Sequence, residues 1–291
     1  MERNKTSYFH TILVLMKHRL SMTVAFSSVV GWFLFSSEIS FGILALYLGT
    51  FFLAGGSSAM NQYQERELDK MMGRTKNRPL PSGILSAPSA FSIALLLMLL
   101  GTLILFTFNN ITTAALGILN AVIYNLIYTK LKTKTQYAVL PGAIVGAIPP
   151  MMGWAAAGGD IMQPQIVYFA MFMFLWQMPH FWLLVIKYGK EYEKAGFSIL
   201  SGKIDEQKIK RLVFFWGAIT SAYLLAFPLF FKHASLLVMI ALMILNIGFI
   251  IGFYRILYKP KEEKRSTIKA FLFINSYALL VMILFIANSF I

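Results

Sequence analysis

The sequence predicts an all-α integral membrane protein, a bundle of nine transmembrane helices around a central cavity that opens at the cytoplasmic side. Three observations predict it: a charge-poor, apolar composition, nine stretches long enough to cross a bilayer, and basic residues confined to alternate loops. Of 291 residues, 58% are hydrophobic and 13% charged, about half the ~25% charge of a soluble domain. The mean hydropathy is +0.67. The apolar stretches lie near 20–36, 41–60, 87–107, 111–129, 137–158, 164–186, 212–231, 234–254 and 269–290, each able to span a ~30 Å hydrocarbon core. The first is the least regular, because Lys17, His18 and Arg19 interrupt its approach. With a cytoplasmic N-terminus and nine crossings, 25 of the 26 lysines and arginines fall inside and only Lys232 outside. That bias sets both the count and the direction, and it places the C-terminus outside.

The remaining composition narrows the function. The absence of cysteine excludes thiolate metal sites, covalent haem attachment and disulfides. A net charge of +14 held in short loops fits anionic lipid headgroups and phosphorylated substrates rather than nucleic acid. Near the N-terminus there is neither a short apolar core with a small-residue cleavage site nor an Arg/Ser-rich leader, so a bacterial cytoplasmic (inner) membrane is the expected address. Residues 1–291 read as one membrane-embedded domain. The outside loops 36–40, 109–110, 158–163 and 232–233 are short, whereas the inside loops 61–86 and 187–211 hold seven of the twelve carboxylates. Chemistry is therefore expected on the cytoplasmic side.

The second span runs into Asn61-Gln-Tyr-Gln-Glu65-Arg-Glu-Leu-Asp69-Lys-Met-Met-Gly-Arg74. Spaced by four, Asn61, Glu65 and Asp69 form one column on a continuing helix, with Arg66, Lys70 and Arg74 as a basic column beside it. The helix should end before Arg78-Pro79, since a residue preceding proline avoids the helical region. One amide and two carboxylates suit Mg²⁺ shared with substrate phosphates, and the adjacent cations suit the remaining phosphate charge. A solvated helix end with intrahelical ion pairs fits the same spacing.

The later spans carry further polar groups. The fourth ends Tyr124-Asn125-Leu-Ile-Tyr128-Thr-Lys130-Leu-Lys132, with Tyr128 and Lys132 one turn apart; interfacial anchoring would also put an aromatic and a lysine there. In the fifth, Pro141, Gly142, Gly146, Pro149, Pro150, Gly153 and Trp154 suggest close, bent packing that shapes a cavity. The sixth carries Trp176-Gln177-Met178-Pro179-His180-Phe181-Trp182, seven to ten residues before Lys187 for Gln177 and His180. That depth is roughly 10–15 Å at 1.5 Å per residue, where polar groups usually face an interior cavity. His180 could ligate a metal, contact a ligand, or bond the carbonyl freed by Pro179. The loop that follows opens Lys187-Tyr188-Gly189-Lys190-Glu191.

The string Asn61-x₃-Glu65-x₃-Asp69, continued by Arg74-Thr75-x₂-Arg78-Pro79-Leu80, resembles the first motif of the UbiA-type intramembrane prenyltransferases. The Arg-Thr extension and the Trp176–Trp182 string are most similar to the haem O synthase (protohaem IX farnesyltransferase) branch. The resemblance spans essentially the whole chain and implies a Mg²⁺-dependent farnesyl transfer from farnesyl diphosphate to a vinyl group of haem b. It implies Asn61, Glu65, Asp69 and Glu191 as metal ligands, the last three of them catalytic. Arg66, Lys70, Arg74, Arg78, Tyr128, Lys132 and Lys187 would hold the diphosphate. Tyr124, Trp154, Trp176, Gln177, His180 and Phe181 would line the haem and prenyl pocket. The family's second carboxylate pair is incomplete, since only Glu191 stands where lysine and alanine flank it at 187 and 195, and Ser198-Ile-Leu-Ser201 replaces the usual Pro-Met-Leu-Pro. A relative using 4-hydroxybenzoate would share the chemistry and change the acceptor, and a non-catalytic haem or lipid transporter would share only the cavity. A haem A-forming enzyme or terminal oxidase is the expected receiver of the product.

Overall fold

In the computed structural model, residues 8–198, 205–231, 234–259 and 263–291 are described. All regular structure among them is helical. The loop at 232–233 and residues 199–204 of the loop 187–211, including the Ser201 end of the altered string, lie outside the described residues.

The first apolar stretch is entered through a break. Helices α1 (Tyr8–Leu15) and α2 (His18–Phe35) meet at 55°, with Lys17 between them in the left-handed region at φ 48°, ψ 50°. Helix α3 (Phe41–Gln64) is followed after a single non-helical residue, Glu65, by α4 (Arg66–Lys70). The chain then turns back to α5 (Ala87–Phe108), capped by the Ser86 hydroxyl with Pro88 in its first turn. Proline there gives up no hydrogen bond that the helix would otherwise make. Helix α6 (Ile111–Val122) continues through a π-turn at Ile123–Tyr128 into α7 (Thr129–Leu131). Helices α8 (Val139–Ala156), α9 (Pro164–Lys194), α10 (Glu206–Leu224), the short α11 (Phe227–Phe230), α12 (Leu236–Tyr258) and α13 (Glu263–Asn288) complete the chain.

Seven of these helical segments are long and apolar enough to cross a membrane, and the bent pair α1–α2 makes eight. The nine expected stretches all appear as helix, but α10 is not among those eight. It begins Glu-Gln-Lys-Ile-Lys-Arg and stops at Leu224, short of the expected 231, with the Phe227–Phe230 turn filling the rest.

Helices α2, α3, α6, α8, α9 and α13 enclose a cavity of about 810 Å³. Helix α5 packs outside α3, and α10 and α12 pack outside α9 and α13. Outer faces such as Leu96, Leu99, Leu103 and Phe106 of α5 are exposed, as a lipid-facing surface requires. Helices α2 and α8 cross closely. A Cβ at Gly31 would lie 1.8 Å from the Pro150 carbonyl oxygen, and one at Gly153 would lie 1.7 Å from that of Ser28. Only glycine at both positions lets the two backbones meet.

Candidate active site

The polar end of the cavity is built where α3 stops. Helical bonds continue across the break, from Glu65 N–H to the Asn61 carbonyl and from Asp69 N–H to the Glu65 carbonyl, so the one-turn spacing of the three side chains survives. Asn61, Glu65 and Asp69 are 1%, 6% and 1% exposed, and all three line the cavity. Burying two carboxylates requires compensation, and each has a cation. Lys132 Nζ lies 2.5 Å from Glu65 Oε1, and Arg78 Nη1 lies 2.7 Å from Asp69 Oδ2. Lys17 Nζ donates to Asn61 Oδ1 at 3.1 Å. The Thr75 hydroxyl holds the Asp69 carbonyl at 2.8 Å, which folds the chain after α4 back so that Arg74 and Arg78 reach the cavity.

The π-turn sets the facing wall. One extra residue in the turn stacks Tyr124 on Tyr128 at 5.7 Å and 21°, with Lys132 Nζ 4.9 Å from the Tyr128 ring centre. Tyr128 in turn meets Phe181 at 5.9 Å. Deeper in the cavity, Trp176, Gln177 and His180 of α9 face Phe271 and Asn275 of α13. The His180 ring sits 5.1 Å from Trp176 and 4.7 Å from Phe271, and the Trp176 indole N–H donates to the Ile274 carbonyl at 3.0 Å. Among the described residues, His180 Nδ1 and Trp182 Nε1 are buried polar atoms without a partner. Both residues line the cavity, where a bound ligand can meet these atoms.

Not every expected residue comes to this cavity. Arg66 and Lys70 point away from it: Arg66 bonds the Tyr63 carbonyl at 2.8 Å, and Lys70 pairs with exposed Glu67 at 2.8 Å. The Lys70 hydrogen bond holds the Glu67 carboxyl below its usual range. A residue one position along a helix is rotated by about 100°, so these two members of the basic column face out, while Arg74 lines the cavity. Lys187 leans on the Tyr188 ring at 4.8 Å, outside the cavity lining. Glu191 stands apart from the oxygen column, where its carboxylate accepts the Arg74 backbone N–H at 3.3 Å, while the Arg74 guanidinium donates to the Tyr192 hydroxyl at 3.1 Å. Trp154 is a correction of place. Its indole N–H is 3.0 Å from both the Asp160 carbonyl and Gln163 Oε1, so it pins the loop before α9 and is absent from the cavity wall. Lys17, reached across 44 positions, and Thr129, which accepts from Asn61, brace the site although neither was expected in it.

Among the described residues no three His, Cys, Asp or Glu side chains group into a metal site by themselves. The donor set at the cavity end, one amide and two carboxylates on adjacent turns, fits Mg²⁺, which fills its shell with water and substrate phosphates rather than with an all-protein cage.

The profile of the UbiA prenyltransferase family matches residues 20–277. The chain belongs to the UbiA prenyltransferase family. Among its relatives, the protoheme IX farnesyltransferase of Christiangramia forsetii is 37% identical over 285 residues, covering 94% of this chain and 92% of its own. That of Flavobacterium psychrophilum is 35% identical and covers 98% and 96%. Solved structures share the fold. A digeranylgeranylglyceryl phosphate synthase superposes with a TM-score of 0.76 at 21% identity, over 97% of this chain and 98% of that one. A UbiA homolog from Archaeoglobus fulgidus bound to GPP and Mg²⁺ gives 0.70 at 14%, over 96% and 98%.

Proposed function

We propose that this UbiA-family prenyltransferase transfers the farnesyl group of farnesyl diphosphate to a vinyl group of haem b, releasing pyrophosphate and giving haem O. The observation that carries this reading is the union, in one cavity, of a mouth of fixed oxygens and cations with a deeper aromatic wall bearing Gln177 and His180. Relatives named protoheme IX farnesyltransferase, matched over nearly the whole chain, give the acceptor.

Lys132, Arg78, Arg74 and Lys17 hold the diphosphate oxygens at the mouth; fixed cations aimed at a leaving group stabilise charge where it develops. Asn61, Glu65 and Asp69 would hold Mg²⁺ here, which when bound would add to the neutralisation of the departing pyrophosphate. As the C1–O bond breaks, Tyr128, Phe181 and Trp176 face the allylic cation and keep water from it, with cation–π contacts of about 2 kcal/mol when desolvated. The vinyl carbon forms the new C–C bond, and water then adds to the carbon next to the porphyrin and loses a proton, which leaves the hydroxyethylfarnesyl side chain. Gln177 and His180 contact the porphyrin from α9.

The chain crosses the membrane nine times in this reading, with the α1–α2 pair and α10 each counted as one crossing. The basic loops and the mouth of the cavity then face the cytoplasm of a bacterial inner membrane, with the C-terminus outside. Purified protein with farnesyl diphosphate and Mg²⁺, offered haem b or 4-hydroxybenzoate, tests the acceptor. A haem product heavier by a farnesyl and a hydroxyl group supports the proposal; a prenylated benzoate, or no prenylated product from either, overturns it.

A further inference from the structure

The π-turn that shapes the cavity wall also leaves a specific hydrogen-bond demand. In a π-turn the carbonyl of residue i accepts from residue i+5, and here the Thr129 backbone N–H bonds the Tyr124 carbonyl. The Thr129 hydroxyl donates to that same carbonyl at 2.8 Å. A hydroxyl has one proton and two lone pairs, so with its proton committed Thr129 Oγ1 can only accept. What it accepts is Asn61 Nδ2–H, at 3.1 Å. Both residues are buried, Thr129 at 5% and Asn61 at 1% exposure.

The consequence concerns which end of the Asn61 amide faces the cavity. An asparagine has a donor end and an acceptor end of nearly identical shape, and only the oxygen can bind a cation. With Nδ2 tied to an obligate acceptor, Oδ1 is turned toward the cavity, where Lys17 Nζ meets it at 3.1 Å. Two further bonds stiffen the same junction: Asn125 Nδ2 donates to the Ser57 carbonyl at 2.9 Å, and Gln64 Nε2 to the Asn125 carbonyl at 3.2 Å.

We infer that Thr129 is a positioning residue for the metal site, acting through Asn61. The inference rests on the reading of Asn61 as a ligand. Without the hydroxyl, Lys17 Nζ alone still selects the oxygen end of the amide, and once Lys17 holds the diphosphate the donor end can turn into the cavity and repel a cation. Groups of this kind behind a metal ligand typically change metal affinity by 10–100-fold when removed.

The test uses the full-length protein in nanodiscs, with Mn²⁺ as the probe and farnesyl thiodiphosphate as a slowly ionising donor. Binding is read from the Mn²⁺ paramagnetic resonance spectrum, without turnover. Thr129→Val, which keeps the shape and loses the hydroxyl, should weaken Mn²⁺ about 10-fold, and Thr129→Ser should restore wild-type affinity. Thr129→Ala serves the same comparison where the valine variant fails to insert. In an Asn61→Ala background, Thr129→Val should add no further loss, a result that general structural damage would not give. Wild-type affinity in the Thr129→Val protein, or an equal further loss on Asn61→Ala, overturns the positioning role. If the wild-type chain binds no Mn²⁺, the metal reading falls and the inference falls with it; if it binds and the variants do not differ, only the inference falls.

Discussion

Replacing Lys132 with methionine should separate what the cavity mouth does for stability from what it does for chemistry. The Lys132 ammonium is 2.5 Å from Glu65, with the two side chains 20% and 8% exposed. Removing one partner of a buried pair leaves the other charge uncompensated and costs about 3–5 kcal/mol, against 0–1 kcal/mol for a pair in open water. Because a fifth of Lys132 still meets solvent, the low end of the buried range, about 3 kcal/mol, applies. Combining Lys132→Met with Glu65→Gln removes both charges, and the pair should recover about 2 kcal/mol of that loss. Unfolding of the purified protein in detergent, followed by circular dichroism, measures Lys132→Met, Glu65→Gln and the double variant. Prenyl transfer should be lost in every one, since the diphosphate loses a cation or the column an oxygen. A single variant as stable as the wild type, or a double variant no more stable than the single, would refute the claim that Glu65 is buried beside Lys132 as a compensated charge.

Other outcomes follow from the same geometry. Asp69→Asn should lower the turnover rate by about 10²-fold or more while membrane insertion, measured by protease protection, stays intact. Gly153→Ala puts a methyl where the Ser28 carbonyl oxygen is 1.7 Å away, so α2 and α8 must part, at a cost of about 1–3 kcal/mol or more visible as a lower unfolding midpoint. Trp154→Phe gives up both acceptors of its indole N–H and should cost about 1 kcal/mol with transfer to haem unchanged, because Trp154 stands off the cavity.

Much of this arrangement was legible in the residues. Hydrophobic runs located the long helices but not α1, and a spacing of four put Asn61, Glu65 and Asp69 on one cavity wall because the backbone ladder carries through Glu65. The neighbouring Arg66–Lys70–Arg74 column divided where the helix ended: Arg66 and Lys70 keep helical phase and face out, while Arg74 turns inward with the chain after α4. Spacing rules hold only as long as the helix does. The π-turn at Ile123–Tyr128 left no mark in the sequence, since it is a property of the hydrogen-bond ladder that Thr129 and Asn61 complete. Lys17 did leave one, as a basic interruption of an apolar run. Its role needed the left-handed backbone and the approach of α3 to become visible.

Whether this chain joins farnesyl to haem b is read from chromatography of the haems extracted from membranes expressing it, beside membranes expressing Glu65→Gln. The first should hold a later-running haem whose mass matches the hydroxyethylfarnesyl product, and the second haem b alone. Haem b alone in both would mean that no transfer takes place.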